Sequence, residues 1–257
     1  MRRVNQNLTI HVIHYTDPSC PWAYSAEPLM RTLEWRFGMP VLPEPRTRLI
    51  ASGRACRAVA AARVQSVELA DALLRRIRLS WFTSTLLLDE DEALRSVAEQ
   101  VPGLDAGQVI ALLDDPDVEA AYQADRAETR SAEAGGRPAI AQGRTADTDG
   151  LERFTAPSIV FRDGDRALVA GGWQPLGAYD VCIANLQPSL PRRPTPTVAE
   201  ALAAFPAGLT TMEVARLCAD HDDDPDPPGV TSELVALCAA GQSVREPLGC
   251  AELWRPA

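Results

Sequence analysis

The chain has 257 residues, 46% hydrophobic and 23% charged, and its 25 basic against 35 acidic residues give a net charge of −10. This composition excludes a disordered or collagen-like chain and leaves room for one large domain or two small ones. The acidic balance opposes phosphate backbones and anionic lipid, so neither nucleic acid nor a membrane is expected as a partner.

Residues Leu8 to Tyr15 alternate and are rich in β-branched side chains, which predicts a strand; Asp17, Pro18, Ser19 and Pro21 then break it. A helix follows, with Ala26, Leu29, Met30, Leu33 and Phe37 spaced by three and four and a stop at Gly38 and Pro40. Cys20 therefore falls where a strand turns into a helix. Pro40 to Ile50 offers a second strand, and its prolines confine that strand to an edge.

From Ala51 to about Glu133 the pattern is helical, with apolar stripes at Ala55, Ala58, Val59 and Ala62, then at Val67, Ala70, Leu73, Leu74 and Ile77, then at Ala93, Leu94 and Val97. Gly135 to Gly150 reads as a loop. Strand character returns at Pro157 to Phe161, and Asp163 with Gly164 turns the chain into Ala167 to Ala170. Gln174 to Leu186 predicts a helix. Pro188, Pro191, Pro194 and Pro196 form a stiff linker and set a domain boundary.

The remainder predicts a helix capped by Thr210 or Thr211, a second beginning at Thr231 or Ser232 and ending at Gly241, and a hairpin from Val244 to Trp254. That is a winged-helix outline. A DNA-reading version needs a basic recognition helix, yet no basic residue lies between Thr231 and Gly241, and residues 207–257 hold three arginines against nine acidic residues.

The basic residues are all arginine, which excludes chemistries built on lysine: Schiff bases, pyridoxal phosphate, Walker A loops and protein kinases. His11, His14 and His221 are the only imidazoles. Six cysteines (Cys20, Cys56, Cys182, Cys218, Cys238 and Cys250) form no CxxC pair, so neither a disulfide scaffold nor a zinc knuckle is expected, and no metal. The apolar stretch Leu8 to Ile13 is short and interrupted, so no signal peptide is expected, and no run reaches the length of a membrane span; a reducing cytoplasm is the expected compartment.

The sharpest feature is Asp17-Pro18-Ser19-Cys20-Pro21-Trp22-Ala23-Tyr24. A thiol at a helix start meets unpaired N–H groups and the positive end of the helix dipole, both of which favour thiolate and make Cys20 a candidate nucleophile. The competing reading, a small buried thiol at a strand end, leaves Pro21 and Trp22 unexplained. Cys56 sits in a stripe of small residues and reads as a core thiol rather than a resolving partner, and His14 more as a core histidine than as a tuning group.

The stretches DPSCPWAYSAEP, APSIVF and GGWQPLGAYD, with the helical insert between them, resemble the DsbA family of thioredoxin-fold proteins, in particular its FrnE-like branch with the 2-hydroxychromene-2-carboxylate isomerase and kappa-class glutathione transferase relatives. The resemblance covers residues 8 to about 187. It implies an α/β thioredoxin fold with a large all-helical insertion at about 51–133 in a domain of residues 1–190, followed by a linker and helix at 191–206 and the winged-helix-like unit at 207–257. It also implies that Cys20 attacks, that Pro157 is a cis proline, and that Pro21, Trp22, Ala156 and Trp173 surround the substrate. Where a dithiol member carries its resolving cysteine, this chain has Ala23.

A CPWA site closes no internal disulfide, so the expected activity is that of a monothiol oxidoreductase or thiol transferase acting on a small thiol or disulfide, with mycothiol or glutathione as resolving co-substrate. Two other readings stand beside it. One is a thiol-cofactor-dependent isomerase or transferase; the other is a retired thioredoxin-fold binding module. A second copy of the chain is a further candidate partner.

Overall fold

A computed structural model describes residues 10–37, 41–47, 52–130, 145–148, 151–220 and 223–257. The first strand, β1 (Ile10–Thr16), is buried at every position but His11 because it lies inside a four-stranded sheet of order β2-β1-β5-β6. It runs parallel to β2 (Val41–Thr47), where the prolines indeed occupy an edge, and antiparallel to β5 (Ser158–Asp163). A tight turn at Gly164, which adopts φ +57°, joins β5 to β6 (Arg166–Ala170).

The single helix expected after Cys20 is two helices, α1 (Pro21–Ser25) and α2 (Glu27–Phe37), parted at Ala26. Pro28 explains the break: it has no N–H to give the carbonyl of Tyr24 four residues back, and its ring crowds that turn. The chain instead tightens, with Ala26 N–H donating to the Ala23 carbonyl at 3.3 Å. Leu29, Met30, Leu33 and Phe37 then pack on one face of the sheet against Ile10, Val12, Ile159 and Phe161, and α8 (Leu176–Leu186) completes this layer with Leu176, Tyr179 and Ile183.

Between β2 and the later strands lie five helices, α3 (Gly53–Arg63), α4 (Val67–Thr83), α5 (Asp91–Ala98), α6 (Ala106–Ala111) and α7 (Pro116–Thr129). Their starts follow local chemistry, since Ser66, Asp105 and Asp115 each accept a backbone N–H of the first turn, a contribution of about 1 kcal/mol per cap. The small-residue stripe of α3 lets Leu73, Leu74 and Ile77 of α4 approach closely, and this helical core is separate from that of the sheet.

Residues 131–144 and 149–150 lie outside the described residues. The expected loop from Gly135 to Gly150 nevertheless contains a strand: β3 (Thr145–Thr148) pairs antiparallel with β4 (Leu151–Phe154). The reason shows in β4, where Phe154 is buried and stacks on Tyr15 of β1 with ring centroids 4.6 Å apart, covering the second face of the sheet.

The C-terminal unit comprises α9 (Val198–Ala204), β7 (Leu209–Thr210), α10 (Thr211–Cys218), α11 (Pro227–Ala239), β8 (Ser243–Leu248) and β9 (Ala251–Pro256), with sheet order β7-β9-β8. Helix, strand, helix, helix and hairpin follow one another as in a winged helix. Thr210 caps α10 in a reciprocal box with Glu213. The second helix starts earlier than Thr231, because Asp226 accepts the Gly229 N–H and two prolines fit the first turn, where no N–H is needed. His221 lies outside the described residues.

This unit is held against the rest of the chain. Helix α10 packs on α2, and the proline segment is pinned along α2 by Arg193 N–H to the Arg36 carbonyl at 2.8 Å and Trp35 Nε1 to the Pro194 carbonyl at 2.9 Å.

Candidate functional site

Cys20 is the N-cap of α1, with an extended backbone (φ −78°, ψ 116°). Its N–H donates to the Asp17 carbonyl at 3.2 Å, its carbonyl accepts the Tyr24 N–H at 3.0 Å, and Pro21 fills the first helical position, where a missing N–H costs nothing. The side chain is 9% exposed and packs with Ala23 and Ala156. Its Sγ donates to the Ala156 carbonyl at 3.5 Å, and the Ala156–Pro157 peptide bond is cis.

The proline loop is itself fastened: Ser158 Oγ donates to the Thr155 carbonyl at 2.5 Å and accepts the Gly172 N–H at 2.9 Å. That second bond carries the turn bearing Trp173 toward the thiol loop. Of the six residues singled out from sequence, Cys20, Ala156 and Pro157 come together. Pro21 and Trp22, the latter 65% exposed, flank them at the surface, and Trp173, 42% exposed, lines a neighbouring cavity rather than the thiol cluster.

Residues that sequence reasoning missed complete the site. The buried Asp17 carboxylate accepts the Ser19 N–H at 2.8 Å, the Ser19 hydroxyl at 2.6 Å and the Ser52 hydroxyl at 2.9 Å, so one side chain fixes both the thiol loop and the entrance to α3. Its place just before a Pro-Ser pair is the pattern of an Asx turn, a signal available in the sequence.

Arg78 of α4 is fully buried, donates to Thr16 Oγ1 at 2.7 Å and pairs with Glu27. Burial pushes it down to about 10, against the opposing pull of Asp17 and the Cys20 sulfur. Arg153 of β4 is also pushed down by burial and also held up by the Cys20 sulfur. Two cations thus stand within electrostatic reach of the thiol, and no sequence signal separates them from the other arginines.

His14 of β1 is buried and is lowered to about 3, first by burial and then by Arg78 and Arg31. It is neutral at ordinary pH, a core group as expected. Cys56 is fully buried in the helical core, its Sγ 3.6 Å from Ser52 Oγ, and is not part of the Cys20 cluster. Among the described residues no group of His, Cys, Asp and Glu could hold a metal ion, and no helix is long and apolar enough to cross a membrane.

Residues 29–156 match the DSBA-like thioredoxin domain family. With the sheet order and the inserted helices, this establishes that the chain carries a DSBA-like thioredoxin domain. The match starts beyond Cys20 and ends at Ala156, so the thiol itself lies outside it.

A structure described as a candidate protein disulfide isomerase from Nitrosomonas europaea superposes with a TM-score of 0.51 at 11% identity, over 70% of this chain and 97% of that one. The oxidoreductase NmDsbA1 from N. meningitidis gives 0.45 at 14% identity, over 73% and 88%. The cytosolic disulfide reductase DsbM from Pseudomonas aeruginosa gives 0.44 at 16%, over 70% and 98%. At such identities the likeness is one of fold. A search of the curated proteins found no match.

Proposed function

We propose that the protein is a monothiol oxidoreductase or thiol transferase whose nucleophile is Cys20 and whose resolving partner is a low-molecular-weight thiol, mycothiol or glutathione, in a reducing cytoplasm. The observation that carries this reading is the sulfur of Cys20 at the start of α1, against the Ala156 carbonyl beside Pro157, with an alanine rather than a second thiol one turn on. In the thiolate form, sulfur attacks a disulfide RSSR; the Cys20–SR bond forms as the S–S bond breaks, and RS⁻ leaves. A second thiolate then attacks the R sulfur of this mixed disulfide, releases the new disulfide and returns Cys20 as thiolate. One turn is thus an exchange, RSSR + R′S⁻ → RSSR′ + RS⁻, and a second turn on RSSR′ with another R′S⁻ completes the reduction to two RS⁻ as two R′S⁻ become R′SSR′.

The test is intact mass spectrometry of the reduced protein and of Cys20→Ser after brief exposure to mycothiol disulfide and, separately, glutathione disulfide. A single adduct on the wild type, absent from the variant and removed by free thiol, is expected. Equal adducts on both proteins, or none, overturn the proposal.

A further inference from the structure

A cavity of about 210 Å³ opens between the inserted helical bundle and the C-terminal unit, and no residue of the thiol loop lines it. It is smaller than the roughly 300–1,000 Å³ of sites for drug-sized molecules and suits a small ion. Helix α4 supplies Arg75 and Arg76 to its wall, the turn from α9 into β7 supplies residues 205–208, and β9 supplies Arg255. Gly208 lets Arg255 lie on that turn: it adopts φ +94°, and a Cβ there would fall 2.9 Å from Arg255 Cγ.

One cation in the wall is left without a counter-charge. Arg31 has Glu34 at 2.8 Å, Arg75 is held by Glu213, and Arg255 has Glu246 at 2.8 Å from its Nε. Arg76 is 7% exposed, and among the described residues no carboxylate pairs with it. Its Nη2 donates to Gln100 Oε1, whose own amide N–H is turned to the Ser96 carbonyl at 2.8 Å, and its Nε has no partner. Burial pushes Arg76 below its usual value, and Arg255 and Arg75 add to this against the pull of Glu246. Of the acids lining the cavity, Asp71 stands by Arg31 and Glu68 is exposed to water, so neither serves Arg76. A buried cation without an anion is costly, so an anion that enters here gains more than it would at a paired arginine.

We propose that this cavity binds a small phosphate-type oxyanion, free or as the head group of a small molecule, with its oxygens on Arg76 and Arg255. Guanidinium groups present several N–H donors in a fixed plane, which matches an ion with several acceptor oxygens. Arg76 belongs to the inserted bundle and Arg255 to the C-terminal unit, so the ion joins the two. The proposal stands apart from the redox reading, since the thiol takes no part in it.

The probe is inorganic phosphate, titrated calorimetrically into the full chain at an ionic strength held constant with chloride, with glycerol phosphate as a second arm. Saturable binding of one ion per chain is expected, equal in wild type and Cys20→Ser. Tighter binding of glycerol phosphate assigns the site to a head group, and tighter binding of inorganic phosphate to the free ion. Arg76→Met is expected to weaken binding by about tenfold or more, yet to melt no lower than the wild type without phosphate, because it removes an unpaired buried charge. Ala72→Glu lines the cavity with a carboxylate one turn before Arg76 on α4, and it is expected to displace the ion in the same way. No saturable binding of either phosphate, or affinity unchanged in both variants, overturns the site; a lower melting temperature of Arg76→Met without phosphate overturns the reading of Arg76 as an unmet charge.

Discussion

Arg75 on α4 holds Glu213 on α10 with two edges of its guanidinium, Nη2 at 2.6 Å from Oε2 and Nε at 3.0 Å from Oε1, and the side chains are 11% and 1% exposed. Burial pushes Glu213 up, but Arg75 and the Thr210 cap more than offset this and leave its carboxyl below the usual range. The same carboxylate thus caps a C-terminal helix and binds the inserted helical bundle. The C-terminal unit is therefore clamped to the thioredoxin-fold part, not tethered beside it.

Truncating one partner of such a pair strands the other charge in a buried site. Arg75→Met is expected to cost about 3 kcal/mol, read as a lower urea midpoint, and the double variant Arg75→Met/Glu213→Gln to recover part of that loss. An unchanged midpoint in Arg75→Met would mean that the clamp contributes nothing to holding the two parts together.

Ala23 is fully buried against Cys20, where a dithiol relative would place its resolving thiol. Ala23→Cys puts a second sulfur one turn along α1, and it is expected to form an internal disulfide under air, seen as the loss of two hydrogens in the intact mass and as resistance of Cys20 to alkylation until reductant is added. Persistence of a freely alkylated Cys20 in the oxidised variant would show that the alanine position does not present its side chain to the thiol.

Much of this was legible beforehand, because it rests on local rules. The strand before Cys20, the helical insert, the edge position of the proline-rich strand and the Thr210 cap all follow from periodicity and turn chemistry. Two departures come from competing local signals and a third from tertiary packing. Pro28 divides a helix whose apolar spacing runs straight through it, Asp226 outbids Thr231 as a cap, and β3 forms in a Gly-rich stretch because Phe154 on its partner strand stacks on Tyr15. Arg78 and Arg153 were invisible for a different reason: they approach Cys20 only through tertiary packing.

Arg78 offers a direct check of that electrostatic contact. Sulfur attacks as an anion, and a buried cation nearby stabilises negative charge, so Arg78→Met is expected to slow alkylation of Cys20 by iodoacetamide several-fold at neutral pH. The same change leaves Glu27 without its partner and is expected to cost about 3–5 kcal/mol of stability. Arg78→Lys keeps the charge, and recovery of the alkylation rate in that variant separates electrostatics from folding; equal slowing in both would assign the effect to packing alone.

The pH dependence of stability should carry two opposed contributions from one buried neighbourhood. His14, lowered from 6.5 to about 3 by burial and by Arg78 and Arg31, stays neutral in the folded chain while the unfolded chain takes a proton. Its contribution is intact above 6.5 and is lost as the pH falls toward 3, with a slope of up to about 1.4 kcal/mol per pH unit. Glu34 is raised from 4.5 to about 7, chiefly by burial, against the pull of Arg31, so its contribution is intact below 4.5 and is lost as the pH rises through 7. Between 4.5 and 6.5 the two oppose each other, and the wild type is expected to be nearly flat in urea midpoint there. His14→Gln removes one arm, so its midpoint should climb as the pH falls across that window, whereas Glu34→Gln removes the other and should decline from 6.5 downward. Parallel profiles for all three proteins would show that neither group titrates differently in the folded and unfolded chains.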